Sequence, residues 1–278
     1  MENEFCNRKV LIFRHGERVD FTFESEPQHW VHRAFDSHGR YQPFDLNMPL
    51  TLPARSDGYL NYIRDTPLTE IGLAQTKIAG KALSRAGVEP CTIYSSPAFR
   101  CVQSATSLLK GMKNRELKIK VEPGLFERMY HEHTLPNWMP PTELSALGYP
   151  VDHFYQPICG VDELDPNELL SVYYNRAFYV IKRIIASQKK GGTVIVVAHQ
   201  SSLETLTRQL CGGTPKSYDQ FSELVFNIPM AGCRAVTENP STDTWTQEQS
   251  PILPFRNLAS HRPPKPTNLS CFCDGVQR

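Results

Sequence analysis

The chain has 278 residues, 40% hydrophobic and 21% charged, enough to bury a sizeable core in one large domain. Thirty basic against 29 acidic residues leave a net charge of +1, so there is no global electrostatic reason to bind nucleic acid or a membrane surface, and any affinity for phosphate must be local. The polar start at 1–9, followed by an apolar run of four residues, excludes a signal-peptide core or membrane span there, and eight cysteines without an export signal predict reduced thiols and a cytoplasmic setting.

The first element is the apolar, β-prone run 10–13, which predicts a buried strand. It stops at Arg14-His15-Gly16-Glu17-Arg18, so this cluster falls at the strand's carboxyl end, where open α/β sheets bind ligands. A lone Arg-His pair after a strand is more often a solvated loop. Here fixed positive charges disfavour a protonated histidine and leave it a neutral nucleophile or base. The arginines offer forked donors that match phosphate oxygens. Together they point to phosphoryl chemistry on His15.

Residues 21–67 are rich in aromatics, prolines and polar side chains. Thr69 then caps a predicted helix over 69–84, with apolar positions at Ile71, Leu73, Ile78 and Leu83 and a stop at Gly87. A second strand at 91–94 leads through Ser95-Ser96-Pro97 into a helix carrying Val102, Ala105, Leu108 and Leu109. Arg100 sits in its first turn, where backbone N–H groups favour an anion. A third strand at 117–121 runs into Glu122-Pro123-Gly124-Leu125-Phe126-Glu127, whose two carboxylates are candidates to protonate a leaving oxygen. Near several cations a carboxylate stays ionised unless burial or a hydrogen bond raises its pKa.

Residues 129–162 repeat the character of 21–67, and structureless stretches of this length are uncommon unless functional. Both follow candidate site segments and are read as walls and lid of a pocket, against the plainer reading as surface excursions. A long helix is expected from near Asp165-Pro166, with Leu169, Leu170, Tyr173, Phe178, Ile181 and Ile184 on its apolar side, ending before Gly191-Gly192. The strand 193–198 ends at His199, and a helix follows over 201–210. His15 and His199 thus stand at two strand ends; one can attack phosphorus while the other donates to the phosphoryl oxygens. The proline-rich tail is expected to be loosely ordered over 255–278.

Strands alternating with helices predict an α/β fold, a three-layer sandwich whose mostly parallel central sheet is covered by helices on both faces. The expectation is a single domain over 1–278 with its core at about 9–254. There is no dinucleotide or Walker-type glycine loop, and Cys271-Phe272-Cys273 is not a zinc-ligand spacing. No cofactor or metal is expected.

The Arg14–Arg18 motif resembles the signature of the histidine phosphatase, or phosphoglycerate-mutase-like, superfamily. Phosphoglycerate mutases carry Ser and Asn where this chain has Arg18 and Phe21, and the His-Asp pair of histidine acid phosphatases is His199-Gln200 here. The chain is most similar to the phosphatase domain of the TULA/Sts family and to insect steroid-phosphate phosphatases. The similarity rests on Arg14-His15-Gly16-Glu17-Arg18, Leu46-Asn47-Met48-Pro49, Leu52-Pro53 with Arg55, and Ser96-Pro97 with Arg100-Cys101-Val102-Gln103. It continues through Val121 to Glu127, Val197-Ala198-His199 and Pro251-Ile252-Leu253-Pro254. The resemblance implies a phosphoglycerate-mutase-like fold and a metal-independent phosphomonoester phosphatase with a phosphohistidine intermediate. It implies His15 as nucleophile, Glu127 as proton donor with Glu122 bracing the loop, and Arg14, Arg18, Arg100 and His199 around the phosphate. The implied substrates are a phosphotyrosine protein or a steroid phosphate, and similar domains form homodimers. The chain has no room for the ubiquitin-associated and SH3 modules of that family, so a stand-alone catalytic domain is expected. Arg128 and Met129 stand where an aromatic residue is expected after Glu127. The competing readings are a phospho-binding pseudo-phosphatase and a phosphoglycerate-mutase-type phosphotransferase.

Overall fold

The four apolar runs all form strands, and they lie side by side. The computed structural model describes residues 7–23, 29–129 and 133–253. The expected loose tail at 255–278 lies outside these residues. The strands are β1 (Arg8–Arg14), β2 (Pro90–Ser95), β3 (Ile119–Val121), β4 (Gly192–Ala198), β5 (Cys233–Asn239) and β6 (Thr244–Glu248). They form one sheet in the order β3-β2-β4-β1-β5-β6. The first four strands pair in parallel, whereas β5 pairs antiparallel to both β1 and β6.

The helices are α1 (Val19–Thr22), α2 (Trp30–Ala34), α3 (Glu70–Arg85), α4 (Phe99–Met112), α5 (Pro141–Ala146), α6 (Leu170–Ala186), α7 (Ser202–Arg208) and α8 (Tyr218–Phe226). From β1 the chain steps outward through α3 to β2 and through α4 to β3, then returns through α6 to β4. Right-handed crossovers in opposite directions put α3 and α4 on one face and α6 on the other. The parallel strands are therefore covered on both sides, and Val10, Leu11, Ile12, Ile93, Val194, Ile195 and Val196 are buried to within 1%.

Three local expectations need correction. The hairpin of β5 and β6 is absent from the sequence reading, because only Ala235, Val236, Glu238 and Trp245 of its residues are buried and no apolar run marks it. The long helix starts at Leu170, after a turn containing Asp165 and Pro166, and Leu169 is exposed. Thr69 does cap α3, its hydroxyl accepting from the Gly72 N–H at 3.0 Å, and Gly87 ends the helix region at a φ of 70°. Yet Ile71 and Ile78 point outward, and α3 buries Gly72, Gln75, Thr76, Ala79, Gly80 and Leu83 instead. Backbone proximity, not side-chain size, chose that face. A Cβ on Gly80 would lie 2.1 Å from the Leu108 carbonyl oxygen, and one on Gly111 2.1 Å from that of Lys77.

The two excursions are tied to each other. Arg55 is wholly buried against Asp65 and also holds Asp57 and the Asn137 carbonyl. Ser56 donates through its N–H and hydroxyl to the two oxygens of Glu143, and Asn137 Nδ2 donates to Asp57 at 2.6 Å. Aromatic packing runs from Tyr59 through Phe35 to Tyr62 and on to Phe99 of α4.

A Gly→Ala change inside a helix ordinarily stabilises by about 0.5–1 kcal/mol. Gly80→Ala should instead destabilise, by roughly 1–3 kcal/mol, as overpacking against rigid backbone does. Chemical denaturation measures the sign, and a stabilised variant would show that α3 and α4 are not in backbone contact.

Candidate active site

The four parallel strands end in a row, and each delivers one polar group at its carboxyl end. Glu127 follows β3, Arg100 follows β2, His199 follows β4 and His15 follows β1. The pairing of Arg14 with Ala198 puts the two histidines level, with ring centroids 5.7 Å apart at 72°.

His15 is 2% exposed, and its Nδ1 lies 2.8 Å from the carbonyl oxygen of Gly16. A carbonyl only accepts, so Nδ1 carries the proton and Nε2 is the lone-pair nitrogen. Burial holds the His15 pKa well below the ordinary value, reinforced by Arg100, Arg14, His199 and Arg18. The sequence expectation of a neutral imidazole among cations therefore holds, with burial as the larger cause.

Arg14 and Arg100 are nearly buried, and each has an Nε with no hydrogen-bond partner among the described residues. Such unmet donors are costly without an acceptor. Arg14 Nη1 donates to the Ile228 carbonyl. Burial lowers the Arg14 pKa to about 10, which leaves the guanidinium charged at neutral pH. Arg18 is committed differently: Asp20 takes its Nε at 2.7 Å and also its Nη2, and the guanidinium lies 4.2 Å from the Phe21 ring. It contributes charge, with one terminal nitrogen left outside the Asp20 fork.

His199 is fully buried, its Nε2 2.7 Å from the Ser96 hydroxyl, and burial pulls its pKa down to about 4 against the upward influence of Glu127. Its Nδ1 faces Glu127 Oε1 at 3.1 Å and Arg100 Nη2 at 3.2 Å. Arg100 Nη2 in turn donates to Glu127 Oε1 at 2.6 Å. Burial would raise the Glu127 carboxyl, but His199, Arg100 and Arg18 outweigh it and hold the group well below the usual carboxylate range. Glu127 is thus an ionised carboxylate seated on the groups expected to bind phosphate. Glu122, the other candidate, is fully buried and accepts from the N–H groups of Gly124, Ile158 and Cys159 and from the Tyr155 hydroxyl. It braces the loop.

At the start of α4, where backbone N–H groups are expected to favour an anion, one of those groups is already taken. Asp65 accepts from the Phe99 N–H at 2.7 Å. Asp20, Asp65, Ser96 and Ser104 had no assigned role in the sequence. Ser104 carries a weak signal, one turn after Arg100 on the same helix face. Its hydroxyl accepts from the Gly16 N–H at 3.0 Å and donates to the Arg100 carbonyl, joining the two motifs. The loop after β1 also lies directly on α3: a Cβ on Gly16 would meet the Gly72 carbonyl oxygen at 2.4 Å, and one on Gly72 would meet that of Glu17 at 2.2 Å. Cys101 sits beneath, its sulfur 3.9 Å from His199 Nε2, with its thiol pushed up to about 12 by burial.

Residues 54–228 match the family model of the histidine phosphatase superfamily (branch 1), a span that contains Arg100, Glu127 and His199. The chain is 41% identical over 252 residues to the mouse ubiquitin-associated and SH3 domain-containing protein B, covering 89% of this chain and 39% of that protein. It is 38% identical over 260 residues to the ecdysteroid-phosphate phosphatase of Drosophila melanogaster, covering 92% of this chain and 34% of the relative. The chain therefore spans little more than a third of the length of these relatives. Among solved structures, the ecdysone phosphate phosphatase of the silkworm Bombyx mori, in complex with tungstate, aligns with a TM-score of 0.79 at 32% identity, over 90% of this chain and 95% of that one. A phosphoglycerate mutase from Bacillus anthracis shares the fold, with a TM-score of 0.53 at 17% identity. With its motif histidine, its row of strand-end groups and these relatives agreeing, the chain belongs to the histidine phosphatase superfamily.

Proposed function

We propose that the protein is a phosphomonoester phosphatase working through a phosphohistidine on His15. The observation that carries this reading is a buried, neutral His15 with its proton fixed on Nδ1, beside the unmet donors of Arg14 and Arg100. A phosphomonoester dianion docks on Arg14, Arg18, Arg100 and His199, each charge-assisted hydrogen bond contributing roughly 1.5–3 kcal/mol. His15 Nε2 forms the P–N bond as the ester P–O bond breaks in line. The departing oxygen takes a proton from Glu127. Water then attacks the phosphohistidine, gives a proton to the same carboxylate and releases inorganic phosphate and free His15. The guanidinium groups neutralise the phosphoryl charge in this scheme, so it requires no metal ion.

Glu127 cannot donate a proton from its resting position, because there it is ionised. Docking supplies the change: phosphate oxygens displace the carboxylate from Arg100 and His199 and put negative charge beside it. Both effects raise its proton affinity. The carboxyl is charged with a proton only when substrate is present.

For the substrate, the reading is an ester of a bulky apolar alcohol or phenol, a steroid phosphate or a phosphotyrosine protein. The names of the insect relatives support the first. Phe126 and Trp138, edge to face at 4.7 Å beside Glu127, support an apolar leaving-group side. A homodimer and a cytosolic location belong to the same proposal. The free thiols of Cys101, Cys159, Cys211 and Cys233 support the latter.

The test is phosphate release from a phosphotyrosine peptide, an ecdysteroid phosphate and p-nitrophenyl phosphate, with and without EDTA. His15→Ala should abolish turnover and acid-labile labelling in a folded protein; turnover retained by that variant would overturn the nucleophile assignment. Glu127→Gln should lose roughly 10²–10⁴-fold on esters with poor leaving groups and far less on p-nitrophenyl phosphate. It should also bind inorganic phosphate more tightly in calorimetry, since its carboxylate no longer competes; unchanged or weaker binding would mean the carboxylate does not occupy the phosphate position. Because the His15 pKa is lowered, its neutral form persists below pH 6.5, so the acid limb of kcat/KM should follow the second ionisation of whichever substrate is used. A limb fixed near 6.5 for every substrate would show an ordinary histidine titrating.

A further inference from the structure

The backbone in front of Glu127 is gripped from behind by a side chain of α6. Arg176, 10% exposed, donates through Nη1 to the carbonyl oxygens of Gly124 at 2.6 Å and Phe126 at 3.0 Å. Its Nε and Nη2 are held by the two oxygens of Glu168, itself 5% exposed. The Glu168 carbonyl accepts from Arg128 Nε at 2.7 Å, so the residue after Glu127 is tied to the same point. The Gly124 end of the turn is also closed. Glu122 takes the Gly124 N–H, and a Cβ on Gly124 would lie 2.6 Å from Val180 of α6.

Arg176 touches none of the groups around His15. Its two carbonyl partners are the last fixed points before the Glu127 Cα, and the Phe126 carbonyl belongs to the peptide that leads into it. We propose that Arg176 is a positioning residue for the Glu127 carboxyl, fixing the peptide from which that side chain swings between Arg100 and a leaving oxygen. The proposal rests on the phosphatase reading and deepens it. It predicts that damage at Arg176 appears in leaving-group protonation and spares phosphate binding.

Arg176→Lys keeps a charge for the buried Glu168, which Arg176→Met would leave unpaired, but a single ammonium cannot hold both carbonyls and the carboxylate in one plane. kcat/KM, which reports the step forming the phosphohistidine, is measured over aryl and alkyl phosphates of graded leaving-group acidity. The set is wild type, Arg176→Lys, Glu127→Gln and the double variant, with inorganic phosphate binding by calorimetry for each. The expected result is a loss that deepens by about tenfold or more from p-nitrophenyl phosphate to the poorest leaving group, within the roughly 10²–10⁴-fold attributed to a general acid. Phosphate affinity in Arg176→Lys should stay near that of wild type, and the double variant should be no slower than Glu127→Gln alone. Equal losses on all esters, or losses that multiply in the double variant, would overturn the positioning role while leaving the phosphatase intact. If no protein in the set binds phosphate or turns over any ester, the underlying reading fails as well.

Discussion

Three guanidinium groups gathered around two neutral imidazoles in a buried pocket repel one another, and their desolvation is expensive. Much of the surrounding structure answers that repulsion. Asp20 forks onto Arg18, the Ile228 carbonyl accepts from Arg14, and Glu127 sits against Arg100 and His199. The compensation is incomplete, since an Nε of Arg14 and one of Arg100 remain unmatched. The burial that makes these charges costly is also the larger cause of the neutral His15, and the excess charge reinforces it. On the proposed reading, affinity for a dianion and a nucleophilic imidazole both draw on this buried, cation-rich arrangement.

The position of Glu127 follows from this. On the proposed reading, a pocket that binds phosphate holds the nearest carboxylate when empty, and that carboxylate stays ionised there. Substrate would then exchange one anion for another. The protein avoids exposing unpaired cations in the resting state and avoids holding a protonated acid beside water when there is nothing to protonate.

The candidate site residues were legible in the sequence because each lies within a few residues of a strand end. His15, Arg14, Arg18, Arg100, Glu127 and His199 each follow an apolar run, and parallel pairing of β1, β4, β2 and β3 brings them together. What it did not carry are partners brought near by tertiary approach. Asp65 reaches the start of α4 from the first excursion, and Arg176 reaches the Glu127 loop from the far side of the sheet. Neither has a local pattern to announce it. The exposed Ile71 and Ile78 of α3 show the opposite failure, in which a plausible apolar stripe lost to a contact available only to small residues. The hairpin at the sheet edge was invisible for a simpler reason: one face of it is wet.

The contact of Gly16 with Gly72 bears on how such a protein can change over time. In most cores a larger side chain at one position can be accommodated by a smaller one opposite, so drift proceeds through paired exchanges. Here the atoms in the way are main-chain atoms on both sides, the Gly72 carbonyl for one residue and the Glu17 carbonyl for the other. No second substitution can shrink a carbonyl. The join between the histidine loop and α3 is closed to compensation by neighbours, and both positions are held to glycine whatever changes around them.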